Sequence, residues 1–202
     1  MAGLISSSII GVVIAWFREF VGGIAATQEL VDLCHIDANK YVLDVGCGVG
    51  VTPCYIAKKY GCRVIGIDFS DAMINRSLER ARRQGVDEHV EFRLADIGDL
   101  PFEDGEFDMV LGESVLAFIQ DKQKGVYECV CVLKSGGYLR ITEATWISEP
   151  SPELLASSSQ SFGGILQPLT ADGWEQLLVK AGLGDIVTRT HDITVGMRLS
   201  IG

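Results

Sequence analysis

Val42-Leu43-Asp44-Val45-Gly46-Cys47-Gly48-Val49-Gly50, read together with Ile65-Gly66-Ile67-Asp68 a short way downstream, decides the fold. The first stretch is an apolar strand running into a glycine turn. A helical pattern follows, with Thr52 as its cap, Pro53 in its first turn and Gly61 as its stop. The second stretch, Arg63 to Ile67, is another apolar strand, with Asp68 at its end. A strand–turn–helix–strand unit of this kind takes a nucleoside: glycines admit a close ligand and the acid accepts from ribose hydroxyls. The spacing is distinctive. A dinucleotide fingerprint is Gly-x-Gly-x-x-Gly, whereas here Gly46, Gly48 and Gly50 alternate and Asp44 lies inside the strand. A carboxylate there repels phosphate and suits a ligand that carries an ammonium group.

Working outward, Gly22-Gly23 opens a helix-like stretch to about Cys34, and Tyr41 to Val45 is the first strand of the unit. Beyond Asp68, Ser70 caps a helix whose Ile74, Leu78 and Ala81 share a face, with Gly85 behind it. Val90, Phe92 and Leu94 alternate with polar residues as a third strand that closes at Asp96. Phe107 to Leu111 reads as a buried parallel strand. A helix follows from about Asp121 to Leu133, then Gly136-Gly137 turns the chain into a fifth strand, Tyr138 to Glu143. Thr145 to Gln167 shows no clear period. Thr170 caps a helix with Trp174, Leu177, Leu178 and Ala181, and Ile186 to Ile201 alternates as two antiparallel strands. Alternating strands and helices imply a parallel sheet with helices on both faces and ligands at the carboxyl ends of its strands. Asp44, Asp68, Asp96 and Glu113 all fall on or near that edge.

The 202 residues suit one domain with one large core, and 48% hydrophobic content is globular. A net charge of −10 argues against a nucleic-acid substrate, which asks for a basic stripe. Six cysteines have neither metal-ligand spacing nor the density of a disulfide scaffold, so they read as reduced thiols in a cytoplasmic protein. The three histidines have no ligand partner nearby in sequence, and no metal is expected.

Residues 1–22 form a separate apolar segment. Leu4 to Phe17 is nearly uncharged but spans only 14 residues, where a membrane span needs about 20. It reads as a helix that packs on the domain or caps the cleft. The alternative is contact of residues 4–20 with a membrane surface, anchored by Trp16 and Phe20.

Val42 to Gly50, Ile67 to Phe69, Ala95 to Phe107 and Leu133-Lys134-Ser135-Gly136-Gly137 occur in the order of the motifs of one family. The chain resembles the class I S-adenosylmethionine-dependent methyltransferases, in particular those acting on metabolites, lipids or quinones. Ser135 departs from the pattern, which usually has proline before the two glycines. The resemblance implies a Rossmann-like, doubly wound α/β fold. Its sheet would have seven mainly parallel strands, an antiparallel C-terminal strand and helices on both faces. It also implies that Asp44, Gly46 and Gly48, with Cys47 and Gly50 in the same loop, line the methionine end of the cofactor. Asp68 would bind the ribose, and Asp96 with Ile97 would hold the adenine; from their position Phe69 and Met73 either flank that adenine or are ordinary core residues.

A sulfonium methyl is already activated, so alignment with a nucleophile supplies much of the rate. A base serves only where the acceptor must lose a proton. Glu113, in Gly112-Glu113-Ser114, is the candidate base or acceptor-orienting group, and equally a carboxylate for the cofactor's ammonium. Residues 145–169, with Trp146, Leu154, Leu155, Phe162 and Ile165, form an expected apolar lid over a small, apolar or lipid-like acceptor. Residues 23–202 would be the methyltransferase domain. Two readings compete with methyl transfer: a non-catalytic cofactor-binding partner domain, and an oxidoreductase using a nicotinamide cofactor, against which Asp44 argues.

Overall fold

In the computed structural model, residues 10–15, 31, 36–161 and 166–189 are described. Nine strands, six helical segments (one a single 3₁₀ turn), the helical residue Val31 and the connections between them make up those residues. The strands and helices run β1 (Ile10–Ala15), β2 (Tyr41–Val45), α1 (Val51–Tyr60), β3 (Arg63–Asp68), α2 (Asp71–Gln84), β4 (Val90–Leu94) and β5 (Phe107–Glu113). A 3₁₀ turn at Leu116–Phe118 follows, then α3 (Lys122–Cys131), β6 (Leu133–Thr142), β7 (Thr145–Trp146), α4 (Pro152–Ser161), β8 (Leu169–Thr170), α5 (Ala171–Lys180) and β9 (Gly184–Arg189).

Seven strands form one sheet in the order β4-β3-β2-β5-β6-β1-β9, and β7 pairs separately with β8. Successive residues of β2 face opposite sides of the sheet. Leu43 and Val45 join a core with Ile65, Ile67, Val126, Trp174 and Leu178, under α3 and α5. Val42 joins a second core with Cys54, Ile56, Val64, Ile74 and Met109, under α1 and α2. Helices therefore cover both faces, as a parallel sheet requires. Strand order reverses between β2 and β5, where Val45 is in register with both Ile67 and Gly112. That reversal opens a crevice at the carboxyl ends of the strands.

Punctuation follows the sequence in part. Gly61 and Gly85 close α1 and α2 in the left-handed conformation, and the Thr170 hydroxyl accepts from Gly173 N–H to cap α5. Thr52 is not the cap of α1: Gly50 holds that position and the Thr52 hydroxyl is drawn into the crevice. Ser70 holds the cap position of α2 without a side-chain bond, its own N–H being turned back to Asp68.

Other expectations are corrected. Ile10–Ala15 is a strand, not part of a helix, and pairs in parallel with β6 and β9. It is a β-branched run (Ile-Gly-Val-Val-Ile-Ala), and a short apolar run has the same pattern in a buried strand as in a buried helix. The sheet thus begins before residue 23. The rest of residues 1–22, with Trp16 and Phe20, lies outside the described residues. The C-terminal strand β9 runs parallel to β1 rather than antiparallel, and residues 190–202 lie outside the described residues. Gly136-Gly137 do not precede the fifth core strand but loop out within β6, where the register jumps from Phe107↔Leu133 to Met109↔Tyr138. The connection from Thr145 also contains a helix, α4, which its serine-rich sequence conceals.

Candidate active site

The glycine loop joins β2 to α1 through left-handed turns: Gly46, Gly48 and Gly50 have φ of 68°, 53° and 73°. Space as well as conformation demands glycine at two of them. A Cβ on Gly46 would lie 2.6 Å from Val115 Cγ2, and one on Gly50 would lie 2.6 Å from the Ser77 Cβ. Gly48 differs, since a Cβ there would meet nothing within 4 Å. Its open side faces space that a ligand can enter. Cys47 N–H donates to Ile67 O at 2.8 Å and stitches the loop to β3. The Cys47 thiol is buried, and burial drives its pKa far upward, so it stays protonated and unreactive.

Asp68, buried at the end of β3, accepts Gly48 N–H at 3.0 Å on Oδ2 and Ser70 N–H at 2.9 Å on Oδ1. It therefore ties the glycine loop to the start of α2. A carboxylate offers about four lone-pair sites, so Asp68 has capacity for further donors.

Asp44 is 2% exposed, yet its neighbours include Glu113 and Asp68. Burial foremost, then repulsion from Glu113 and Asp68, raises its pKa well above the usual carboxylate range. Glu113, half-buried at the end of β5, accepts the Thr52 hydroxyl at 2.7 Å. Immediately after it, Ser114 is held at φ 56°, a conformation strained for a residue with a side chain, by its N–H bond to Thr142 O at 2.7 Å.

Along the same edge Phe69 stands 84% exposed and Met73 is half-buried on the first turn of α2. Asp96 is exposed and folds back onto Gly98 N–H at 2.8 Å, while Ile97 beside it is buried. The residues expected from sequence around the cofactor thus lie in the loops and strand ends on the edge bearing the crevice. Asp44, Asp68 and Glu113 come together as a cluster of carboxylates. Asp96 and Ile97 stand further along, past β4.

One residue with a part in this region was missed. Glu143, just past β6, is 1% exposed, and its carboxylate accepts three successive N–H groups: Val115 at 2.9 Å, Leu116 at 2.6 Å and Ala117 at 3.1 Å. Burial outweighs those bonds and the nearby Lys122 ammonium and pushes its carboxyl up to about 7. A glutamate following an apolar strand was the only sequence signal.

Of the expected lid, Trp146 is half-buried, Ile147 is 92% exposed, and Leu154 and Leu155 are exposed on α4. Phe162 and Ile165 lie outside the described residues. Among the described residues no group of three or more His, Cys, Asp or Glu side chains is placed to hold a metal ion.

The fold and this edge define a nucleoside-binding α/β protein whose cleft favours a cation. S-Adenosylmethionine, a nucleoside bearing a sulfonium and an ammonium, matches that chemistry. Residues 43–141 match the family described as "Methyltransferase domain". The chain is 36% identical over 167 residues to phosphoethanolamine N-methyltransferase of Triticum aestivum, covering 82% of this chain and 32% of that one. It is 41% identical over 107 residues to the chloroplastic tocopherol O-methyltransferase of Arabidopsis thaliana, covering 53% of this chain and 30% of the relative. The chain therefore spans about a third of the length of these two relatives. The crystal structure of the MccD protein superposes with a TM-score of 0.73 at 26% identity, over 79% of this chain and 70% of that one. Residues 43–141 thus form a methyltransferase domain of the class I S-adenosylmethionine-dependent kind, the family whose cofactor is S-adenosylmethionine.

Proposed function

We propose that the chain transfers the cofactor's methyl group to a small molecule with an apolar part, bound between the crevice and residues 145–169. The observation that carries this reading is the convergence of Asp44, Asp68 and Glu113 at one sheet edge, beside a connection that exposes Ile147, Leu154 and Leu155. Relatives named for phosphoethanolamine and tocopherol, two small molecules of different polarity, support a small acceptor.

In this reading Asp68 holds the ribose hydroxyls with its remaining lone pairs and keeps Gly48 out of their way. Asp44 and Glu113 take the positive end of the cofactor, their mutual repulsion relieved when it binds. Phe69 and Met73 cover the adenine, and Asp96 with the Ile97 N–H reads its edge. Cys47 and Gly50 shape the loop without chemical contact. Glu113, fixed by Thr52, orients the ammonium, and acts as a base only for an acceptor that must lose a proton. Alignment does the rest: the sulfonium needs a nucleophile in line with its methyl group, with water kept out.

The unit extends from β1 to β9, with residues 145–169 as the acceptor-covering connection, and we place the protein in the cytoplasm. The five described cysteines are all unpaired, as a reducing compartment would leave them. Among the described residues no helix is long and apolar enough to cross a membrane.

Incubation with methyl-labelled S-adenosylmethionine and a panel of small acceptors, including a headgroup amine and a prenylated phenol, tests the reading. Label is expected in one acceptor class and lost on truncating Leu154 and Leu155 to serine. Cofactor binding without transfer to any acceptor would favour a non-catalytic partner domain.

A further inference from the structure

Glu143 spends a buried carboxylate on three backbone N–H groups that belong to a turn 26 to 28 residues earlier in the chain. Those groups open the 3₁₀ turn Leu116–Phe118, whose first donors have no partner within the turn. A glutamate arriving from the neighbouring strand thus fixes the position of that turn.

The turn has two further contacts. On one side, Val115 is the side chain that a Cβ on Gly46 would strike at 2.6 Å and that one on Gly112 would meet at 3.2 Å. It is therefore the backing of the glycine loop. On the other side, Ala117 O accepts Gln167 N–H at 2.7 Å, where the connection from residue 145 returns to the domain. Ser114, strained at φ 56° and bonded to Thr142 O, joins Glu113 to the same turn. One short segment thus backs the cofactor loop, follows directly on Glu113 in the chain and holds the root of the connection.

We propose that Glu143 is a positioning residue that couples the cofactor loop to the acceptor-covering connection, by fixing the 115–117 turn on which both rest. The inference builds on the methyltransferase reading but needs no acceptor for its test. A turn required only for stability is met more cheaply by apolar packing than by a buried carboxylate. Three charge-assisted bonds to consecutive amides instead fix where the turn sits.

The test combines calorimetric titration with S-adenosylhomocysteine and amide hydrogen exchange on the wild type, Glu143→Ala, Glu143→Gln and Val115→Ala. In Glu143→Ala the amides of residues 115–117 and of Gln167 are expected to lose protection together. S-Adenosylhomocysteine should bind it about tenfold or more weakly, as loss of one charge-assisted bond's worth of positioning implies. Glu143→Gln keeps acceptor capacity for two of the three N–H groups and should fall between. A purely structural role would lower the melting temperature while leaving the affinity of the folded protein and the exchange of Gln167 unchanged, and that pattern overturns the proposal. Should Glu143→Ala fail to fold, Val115→Ala decides, since it keeps every bond to Glu143 and removes only the backing of Gly46. Weaker binding supports the coupling and unchanged binding refutes it. A wild-type protein that binds no S-adenosylhomocysteine would bring down the cofactor reading itself, and the coupling with it.

Discussion

Replacing Asp44 with asparagine should make the protein more stable and a poorer binder of its cofactor. Asp44 is 2% exposed in a cluster with Glu113 and Asp68, and both burial and like charge hold its pKa well above the ordinary 3.8. An acid with a raised folded-state pKa binds a proton that the unfolded chain has released. Its contribution to stability is therefore present at low pH and falls as pH rises from about 3.8 through the raised value. Asparagine keeps the shape and removes that loss. At neutral pH the gain should be on the order of 1–3 kcal/mol, the cost of keeping a buried carboxylate beside two like charges. For a chain of this size that is at least a 2–4 °C rise in melting temperature per ~1 kcal/mol. Binding should move the other way. Losing one charge-assisted contact to the cofactor's cationic end costs about 1.5–3 kcal/mol, roughly a 10- to 150-fold rise in Kd. In the wild type, a cation that draws Asp44 into its ionised form expels a proton. The calorimetric heat of S-adenosylmethionine binding should then depend on the buffer's ionisation enthalpy, and the affinity should rise with pH through the raised pKa. Both effects should vanish in Asp44→Asn. A variant that is destabilised, or that binds as tightly as wild type with the same pH dependence, would refute the reasoning.

Asp68→Asn leaves one of Gly48 N–H and Ser70 N–H facing an amide donor and removes the charge offered to the ribose. S-Adenosylhomocysteine affinity should drop by about 1.5–3 kcal/mol, measured by calorimetry, and an unchanged value would remove Asp68 from the ribose role. Gly46→Ala combines φ 68° with a 2.6 Å approach to Val115, so denaturant melts should show a loss above the ~1–2 kcal/mol of left-handed backbone alone. Trp174 is fully buried and donates its indole N–H to Ala144 O at 3.3 Å; truncation to alanine should cost about 3–5 kcal/mol in the same melts. The Glu143 carboxyl, raised from 4.5 to about 7, should make wild-type stability fall as pH rises across that window, and Glu143→Gln should flatten this part of the profile.

Much of the crevice was legible because its determinants are local. Gly46, Gly48 and Gly50 encode a loop of left-handed turns, and Asp68 stands where β3 ends. Asp44 could be read as a carboxylate inside a buried strand, which is costly unless a cation answers it. What the sequence concealed depends on distant partners. Glu143 looks like an ordinary strand terminus, and only folding brings the amides of Val115, Leu116 and Ala117 to it. Thr52 reads as a helix cap until Glu113, 61 positions later, takes its hydroxyl. Ile10–Ala15 reads as a helix from sequence, yet continuous apolar runs lose their period, and strand pairing decides for a strand. The helix Pro152–Ser161 hides in serines, which compete for backbone hydrogen bonds and weaken the helical signal.

The central claim is that the acidic crevice was built for a cationic nucleoside cofactor rather than a dinucleotide. Titrating the whole chain calorimetrically with S-adenosylhomocysteine, and in parallel with NADH, tests it most directly. The account predicts saturable binding of the first, weakened by Asp68→Asn, and none of the second. Binding of NADH alone would contradict it.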